Sequence, residues 1–374
     1  MLLVDSRLHP LRNPDTLVLA GLGVSSAVVN LVLLARFGVR HGGDTFRFLD
    51  SATDLAAGRP FHVNTAPFHL GYIGLVAVSQ AVGAGQAGII AFQFVVAALA
   101  TLALYDIGRQ LSGRLVGVLA AGFFVVDVDI ARWHVYVLSD SLYISSVVLA
   151  TWFVHRAVGR GARTYLDAAL VGLLAAAIRP NGWIVVLVGA IYWIAGTGLR
   201  KRTKWAAACA VLVCAASAVS IAAFHRYAQA ESIQARTGQL PFDDTAAPAE
   251  EWIGWLGYPV RRPPLARRAA MRVLVELLHV RPYNSTVHNA TVLVLITVTY
   301  PLAVVGFMRR RDQPLSYLMG AVIAGHLLIV AVTFWDWDGR YLLYVFPLIV
   351  VFAACGATAL RPAARIGSAR VGRP

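Results

Sequence analysis

Charge is scarce in this chain of 374 residues: 14% is charged and 58% hydrophobic, where a soluble domain carries about 25% charged residues. Lysine is almost missing, with only Lys201 and Lys204. Cysteine is limited to Cys209, Cys214 and Cys355, each inside an apolar run. Their spacing excludes a disulfide framework and a cysteine-based metal site. No internal repeat is visible, which counts against common transporter folds. No signal-peptide cleavage pattern follows Arg7 and Arg12, so the first apolar run reads as a retained span. The net charge of +14 does not indicate nucleic acid, because the basic residues sit in short clusters between apolar runs. What is abundant is long apolar sequence. The chain therefore reads as an all-α polytopic membrane protein, embedded in a lipid bilayer, with no nucleic-acid partner.

About ten transmembrane helices fit, near 16–37, 86–107, 113–129, 140–157, 165–179, 182–198, 205–225, 289–308, 315–334 and 340–360. The positive-inside rule orients them with the N- and C-termini cytoplasmic. The short inner segments then hold clusters such as Arg156, Arg160 and Arg163, Arg200–Lys204 and Arg309–Arg311, while most carboxylates fall outside. The segment Ala66–Gly83 is apolar but short. If it spanned, the later basic clusters would all face outward, so the charge rule makes it dip into the outer leaflet and return. The first outer loop, 38–85, thus carries two juxtamembrane helices. A long outer loop covers 226–288, in which Ala266–Val280 has helical periodicity. The abundance of Arg, Ala, Val and Gly beside so little lysine suggests a GC-rich bacterial genome, hence a multi-pass protein of the plasma membrane.

The stretch GGDTFRFLDSATDLAAGRP, Gly42 to Pro60, is the first place where several charges gather: Asp44, Arg47, Asp50, Asp54 and Arg59. It predicts a helix with Asp44 or Thr45 as N-cap and Gly58 as its stop. Phe48, Ala52 and Leu55 would share an apolar stripe laid on the membrane surface, with Arg47, Asp50 and Asp54 on the other side. Carboxylates at a membrane edge are costly, so each is a functional candidate. Asp44 leads, and Asp140 in RWHVYVLSDSLY would sit at the same depth; either could instead simply cap a helix. Two carboxylates facing one pocket can act as general base, as stabiliser of a cationic sugar-like transition state, or as metal ligands. Asp127 and Asp129 read as ion-pair partners of Arg132 or, as the alternative, as catalytic carboxylates. His134 is either a substrate contact or an interfacial histidine beside Trp133. Arg179, in AAAIRPNGW, and Arg340 with Tyr341, in DGRYLLYVFPLI, read as snorkelling anchors or as a phosphate clamp. Trp337 belongs to an aromatic belt or a sugar-stacking platform. RRPPLARR, Arg261 to Arg268, is a solvated face or a grip on anionic lipid headgroups.

Together these residues resemble the GT-C superfamily of membrane glycosyltransferases, nearest the branch with protein O-mannosyltransferases and lipid A aminoarabinose transferases. The likeness rests on five short motifs in order: GGD leading into a helix that ends GRP; APFHLGY with Gly71 and Tyr72; LSDSLY with Asp140; Arg179, Pro180 and Gly182; and Arg340 with Tyr341. The resemblance implies a GT-C-like fold, with a catalytic module over 1–200 and a variable module over 201–374. It implies a polyprenyl-phosphate sugar as donor, a lipid, glycan or protein as acceptor, and an extracytoplasmic active site. Asp44 would be the base on the acceptor or lie near the anomeric carbon, and Asp140 would assist it. If a divalent metal ion is used, Asp44 and Asp140 would hold it. Arg179 and Arg340 would clamp the donor phosphate beside Tyr341, with His134, Tyr72 and Trp337 as substrate contacts. The alternatives are a transporter or flippase of a lipid-linked sugar, and a non-catalytic scaffold with the same fold.

Overall fold

Apolar runs bounded by charge become helices, and the charges mark their ends. Helix α1 (Pro14–Phe37) has Asp15 in its first turn and Arg36 in its last, the arrangement that the helix dipole favours. The computed structural model describes residues 14–61, 66–158, 162–196, 285–333 and 340–360, with 270, 273, 274 and 276–278. The expected span at 205–225, the segment Arg261–Arg268 and Trp337 lie outside the described residues. After α1 come α2 (Thr45–Ala56), α3 (Leu70–Ala81), α4 (Gly85–Ser112), α5 (Arg114–Val126), α6 (Val128–Ala131), α7 (Ser139–Ala157), α8 (Ala162–Ile178) and α9 (Trp183–Gly196). The chain resumes with α10 (Thr286–Arg310), α11 (Pro314–Thr333), α12 (Arg340–Leu343) and α13 (Phe346–Ala359). Among the described residues there is no strand, only an isolated bridge between Arg40 and Tyr136.

Four of these helices, α1, α4, α10 and α11, are long and apolar enough to cross a membrane, and several shorter apolar helices accompany them. Leu17, Val24 and Leu31 on α1, and Val287, Val294 and Val298 on α10, are exposed. In a membrane protein such rows face lipid, which is as apolar as the side chains themselves. Helix α7 is the opposite case. It packs against α4, α8 and α9, and most of its residues are buried, including Ser139, Asp140, Ser141 and Ser145. Helix α13 is similarly enclosed and packs against α10, α5 and α4.

The ambiguous segment 66–83 resolves into a short element. Helix α3 has 12 residues, which at 1.5 Å rise makes about 18 Å, well short of the roughly 30 Å hydrocarbon core. It folds straight back onto the start of α4, and the Ser79 hydroxyl donates to the Gly85 carbonyl at 2.6 Å.

Helix α2 forms where its sequence predicts it, but it is rotated relative to the expected stripe. Phe48 and Ala52 are buried as expected. Leu55, assigned to the same apolar face, is exposed, whereas Asp54, assigned to the polar face, is 2% exposed. The cause is a local ion pair: Arg59 donates to the Asp54 carboxylate at 3.0 Å, so the charge is carried inward already matched. The N-cap expectation is also corrected. Asp44 occupies that position but caps no amide. The Thr45 hydroxyl instead accepts from the Gly42 N–H at 2.9 Å and donates to the Val137 carbonyl at 3.0 Å.

Candidate active site

Three chain segments that are remote in sequence are stitched together at one end of the bundle. Arg40 and the segment 135–137 exchange two backbone bonds, Arg40 N–H to the Val135 carbonyl at 2.8 Å and Val137 N–H to the Arg40 carbonyl at 2.9 Å. With the Thr45 link, these bonds dock the start of α2 against the approach to α7. Asp44 is thereby placed at the same end as Asp140, although the two environments differ. The Asp44 side chain is 36% exposed and, among the described residues, pairs only with the more exposed Arg47, at 3.1 Å.

Asp140 is fully buried in the first turn of α7, and its carboxylate caps no backbone amide. Its Oδ1 accepts from the Tyr344 hydroxyl at 2.8 Å and its Oδ2 from Arg179 at 2.8 Å. Arg340 stands 3.8 Å from the same Oδ2. Arg179 is buried too: its Nε donates to Ser139 Oγ at 2.9 Å, and a third nitrogen donates to the Tyr344 hydroxyl. The planar fork thus meets three acceptors at once, which an ammonium on a flexible stem could not do. This burial excludes the anchor reading for Arg179, since a snorkelling side chain keeps its head in water. Tyr341 lies edge-on against Tyr344, centroids 5.4 Å apart.

The position of Arg179 depends on Pro180–Gly182, a single turn between α8 and α9. A Cβ on Gly182 would stand 2.3 Å from backbone atoms of Ala175 and Ala176. Backbone cannot move aside as a side-chain tip can, so the residue must be glycine for the turn to fold onto α8. Gly182→Ala is expected to lower stability by about 1–3 kcal/mol through this overpacking, readable as a lower unfolding temperature in detergent. An unchanged midpoint would refute the close approach. Gly71 plays the same part on α3, with its would-be Cβ 3.0 Å from Ala177 atoms at the end of α8. That contact brings the next residue, Tyr72, beside the site.

Tyr72 is fully buried, edge-on to Phe48 at 4.9 Å, and its hydroxyl has no hydrogen-bond partner among the described residues. The charges of Asp140 and Arg179 both act on it. An orphaned buried hydroxyl costs free energy unless a ligand takes it up. Tyr72→Phe is therefore expected to leave the unfolding temperature unchanged or slightly raised. A fall of more than about 3 °C would mean that the hydroxyl has a protein partner after all. His69, just before α3, packs against Phe48 at 5.3 Å and lies close enough for its charge to act on Asp140.

Of the other sequence candidates, His134 is turned into protein. It is 3% exposed, its Nδ1 is 2.6 Å from the Ser141 hydroxyl, and burial pushes its ring down to about 4. It is thus neutral at pH 7 in this arrangement. Asp127 and Asp129 divide the role expected of them together: Asp127 caps α6, accepting from Asp129 N–H at 2.9 Å, while Asp129 stands 3.5 Å from Arg132. Burial, with the Asp129 charge adding to it, pushes the Asp127 carboxyl up to about 6. The donor set does not fit a divalent ion at Asp140, because both carboxylate oxygens are engaged by hydrogen-bond donors and two guanidinium groups. Among the described residues no group of three or more His, Cys, Asp or Glu gathers to hold a metal.

Two kinds of comparison place this arrangement. A family model described as dolichyl-phosphate-mannose-protein mannosyltransferase matches residues 68–221. The apo oligosaccharyltransferase of Archaeoglobus fulgidus superposes with a TM-score of 0.55 at 13% identity, covering 93% of this chain and 50% of that one. The chain has a GT-C-like fold and is similar to this mannosyltransferase family over the matched segment. A second structure of similar fold is the same organism's oligosaccharyltransferase AglB in complex with an inhibitory peptide and a dolichol-phosphate, with a TM-score of 0.55 at 14% identity, covering 92% of this chain. The chain spans about half the length of those solved structures. No curated protein sequence matches it.

Within the GT-C fold, three residues at the site escaped the sequence reading. Ser139 and His69 stand in LSDSLY and APFHLGY with nothing local to mark a role. Tyr344 lies three residues after Tyr341 in an apolar run, where tyrosine reads as core. The spacing of Arg340, Tyr341 and Tyr344 on one short turn was the available signal.

Proposed function

We propose that this GT-C protein is a membrane glycosyltransferase that moves a sugar from a polyprenyl-phosphate-linked donor to a lipid, glycan or protein acceptor outside the cytoplasm. The observation that carries this reading is the buried Asp140 carboxylate flanked by Arg179 and Arg340, next to the unsatisfied Tyr72 hydroxyl. Guanidinium groups match phosphate oxygens in geometry and charge. A lipid-linked phosphate must enter sideways from the bilayer, so its clamp belongs at the membrane edge. Arg179 and Arg340, with Tyr341, hold the donor phosphate in this reading, and Asp140 holds the two guanidinium groups in register.

The chemistry then needs a base that the acceptor can reach. Asp44 is exposed where Asp140 is not, so Asp44 takes that role. It removes the proton from the acceptor hydroxyl as its oxygen bonds the anomeric carbon. The bond from that carbon to the phosphate oxygen breaks, and the polyprenyl phosphate leaves with the electron pair. Positive charge at the clamp stabilises the negative charge that develops there. The family match and the fold of the archaeal transferase support the donor class. The catalytic parts would fall mainly in residues 1–200, and the variable module over 201–374 would contribute the turn that carries Arg340.

The test is turnover by purified protein offered a panel of polyprenyl-phosphate sugars. Consumption of one donor is the expected result and names the sugar. Tight donor binding with no consumption in the presence of acceptor extracts would instead favour the flippase reading.

A further inference from the structure

Arg340 and Tyr341, with Tyr344 just beyond, are carried by α12, a helix of only four residues, followed by a break at Tyr344 and Val345 before α13 begins. So short a helix has too few internal bonds to hold itself, and its first amides have no partner within it. One of them is met from far away in sequence. The Leu342 N–H donates to Glu276 Oε1 at 2.6 Å, and Glu276 is 1% exposed. The segment around Glu276 is itself tied down next door, where the Tyr300 hydroxyl on α10 donates to the Leu277 carbonyl at 2.7 Å. A buried carboxylate costs free energy unless its partners repay the lost hydration. Here one of its oxygens serves the backbone of the turn that presents Arg340 to Asp140.

We infer that Glu276 is a positioning residue: it holds the α12 turn so that the Arg340 guanidinium faces Asp140 at the donor-phosphate site. This role rests on the donor-clamp reading above and extends it to a residue of the long segment between α9 and α10. Glu276 thus sets the geometry of the phosphate clamp without touching the phosphate.

The experiment measures binding of polyprenyl monophosphate, independently of transfer, by wild type, Glu276→Ala and Glu276→Gln, with unfolding temperatures recorded for each. Loss of a hydrogen bond to a charged group predicts weaker binding by about tenfold in the alanine variant, and a smaller loss with Gln, whose amide oxygen can still accept. In turnover, the donor KM should rise while kcat at saturating donor stays within about threefold. In an Arg340→Gln background, Glu276→Ala should add nothing, because both changes act through one guanidinium. Unchanged binding in a folded Glu276→Ala protein, or additive losses in the double variant, would overturn the inference. If the alanine protein does not fold, the Gln variant and its double mutant decide. Wild-type protein that binds no polyprenyl phosphate would instead remove the donor reading, and this role with it.

Discussion

Asp44→Asn is expected to cut transfer by about 10²–10⁴-fold, the usual contribution of a general base, with no measurable change in folding. The second half of that expectation is as specific as the first. Asp44 sits at the N-cap position of α2 but bonds no helix amide, so Asn removes no cap. Its one ion pair, with Arg47, has side chains 62% and 36% exposed, and such surface pairs contribute less than about 1 kcal/mol. A residue that does so little for the fold, at the same end as the buried Asp140–Arg179 pair, is free to serve chemistry. The measurement is kcat with the donor found in the panel assay, beside the unfolding temperature of both proteins. Activity within threefold of wild type would sink the base assignment, and a matching loss of stability would return Asp44 to a structural role.

Arg179→Met should act in the opposite manner and damage both fold and binding. It strands the Asp140 carboxylate, which is fully buried and keeps only Tyr344 and a more distant Arg340. Removing one partner of a buried pair typically costs about 3–5 kcal/mol, because the remaining charge is left uncompensated. Arg179→Lys keeps the charge but not the fork, so Ser139, Tyr344 and Asp140 cannot all be satisfied. Its stability is expected to fall between wild type and Arg179→Met, with donor binding lost in both. The double variant Asp140→Asn with Arg179→Met should recover part of the lost stability but none of the binding. Thermal unfolding and polyprenyl phosphate binding on wild type, Arg179→Met, Arg179→Lys, Asp140→Asn and the double variant check this. Independent, additive losses at the two positions would show that they are not coupled in the folded protein.

The contrast between these two carboxylates was only half legible beforehand. Asp44 and Asp140 both stood out as acidic residues in an acid-poor chain, yet sequence assigned them the same depth and similar duties. Their burial differs because of partners that hydropathy does not see. Arg179 comes from the end of α8 and Tyr344 from just before α13, 39 and 204 residues away from Asp140. Helix α2 teaches the same lesson at short range. Its limits followed from Thr45, Gly58 and Pro60, but its buried face did not follow from the polarity of its side chains. Arg59 matches the charge of Asp54 from the surface, and Asp54 goes in where Leu55 stays out.

Sequence alone determined that the chain is a helical membrane protein, which stretches are apolar enough to form the bundle, and which short motifs point to the GT-C superfamily. These depend on local composition and on the penalty for exposing backbone to lipid, and both are readable residue by residue. Only the tertiary structure decided that Arg179, Arg340 and Tyr344 converge on Asp140, that Tyr72 carries an orphaned hydroxyl beside them, and that Glu276 holds the turn bearing Arg340. Each of these is a meeting of groups far apart along the chain. Its free energy comes from mutual burial and hydrogen-bond geometry, which no window of sequence contains.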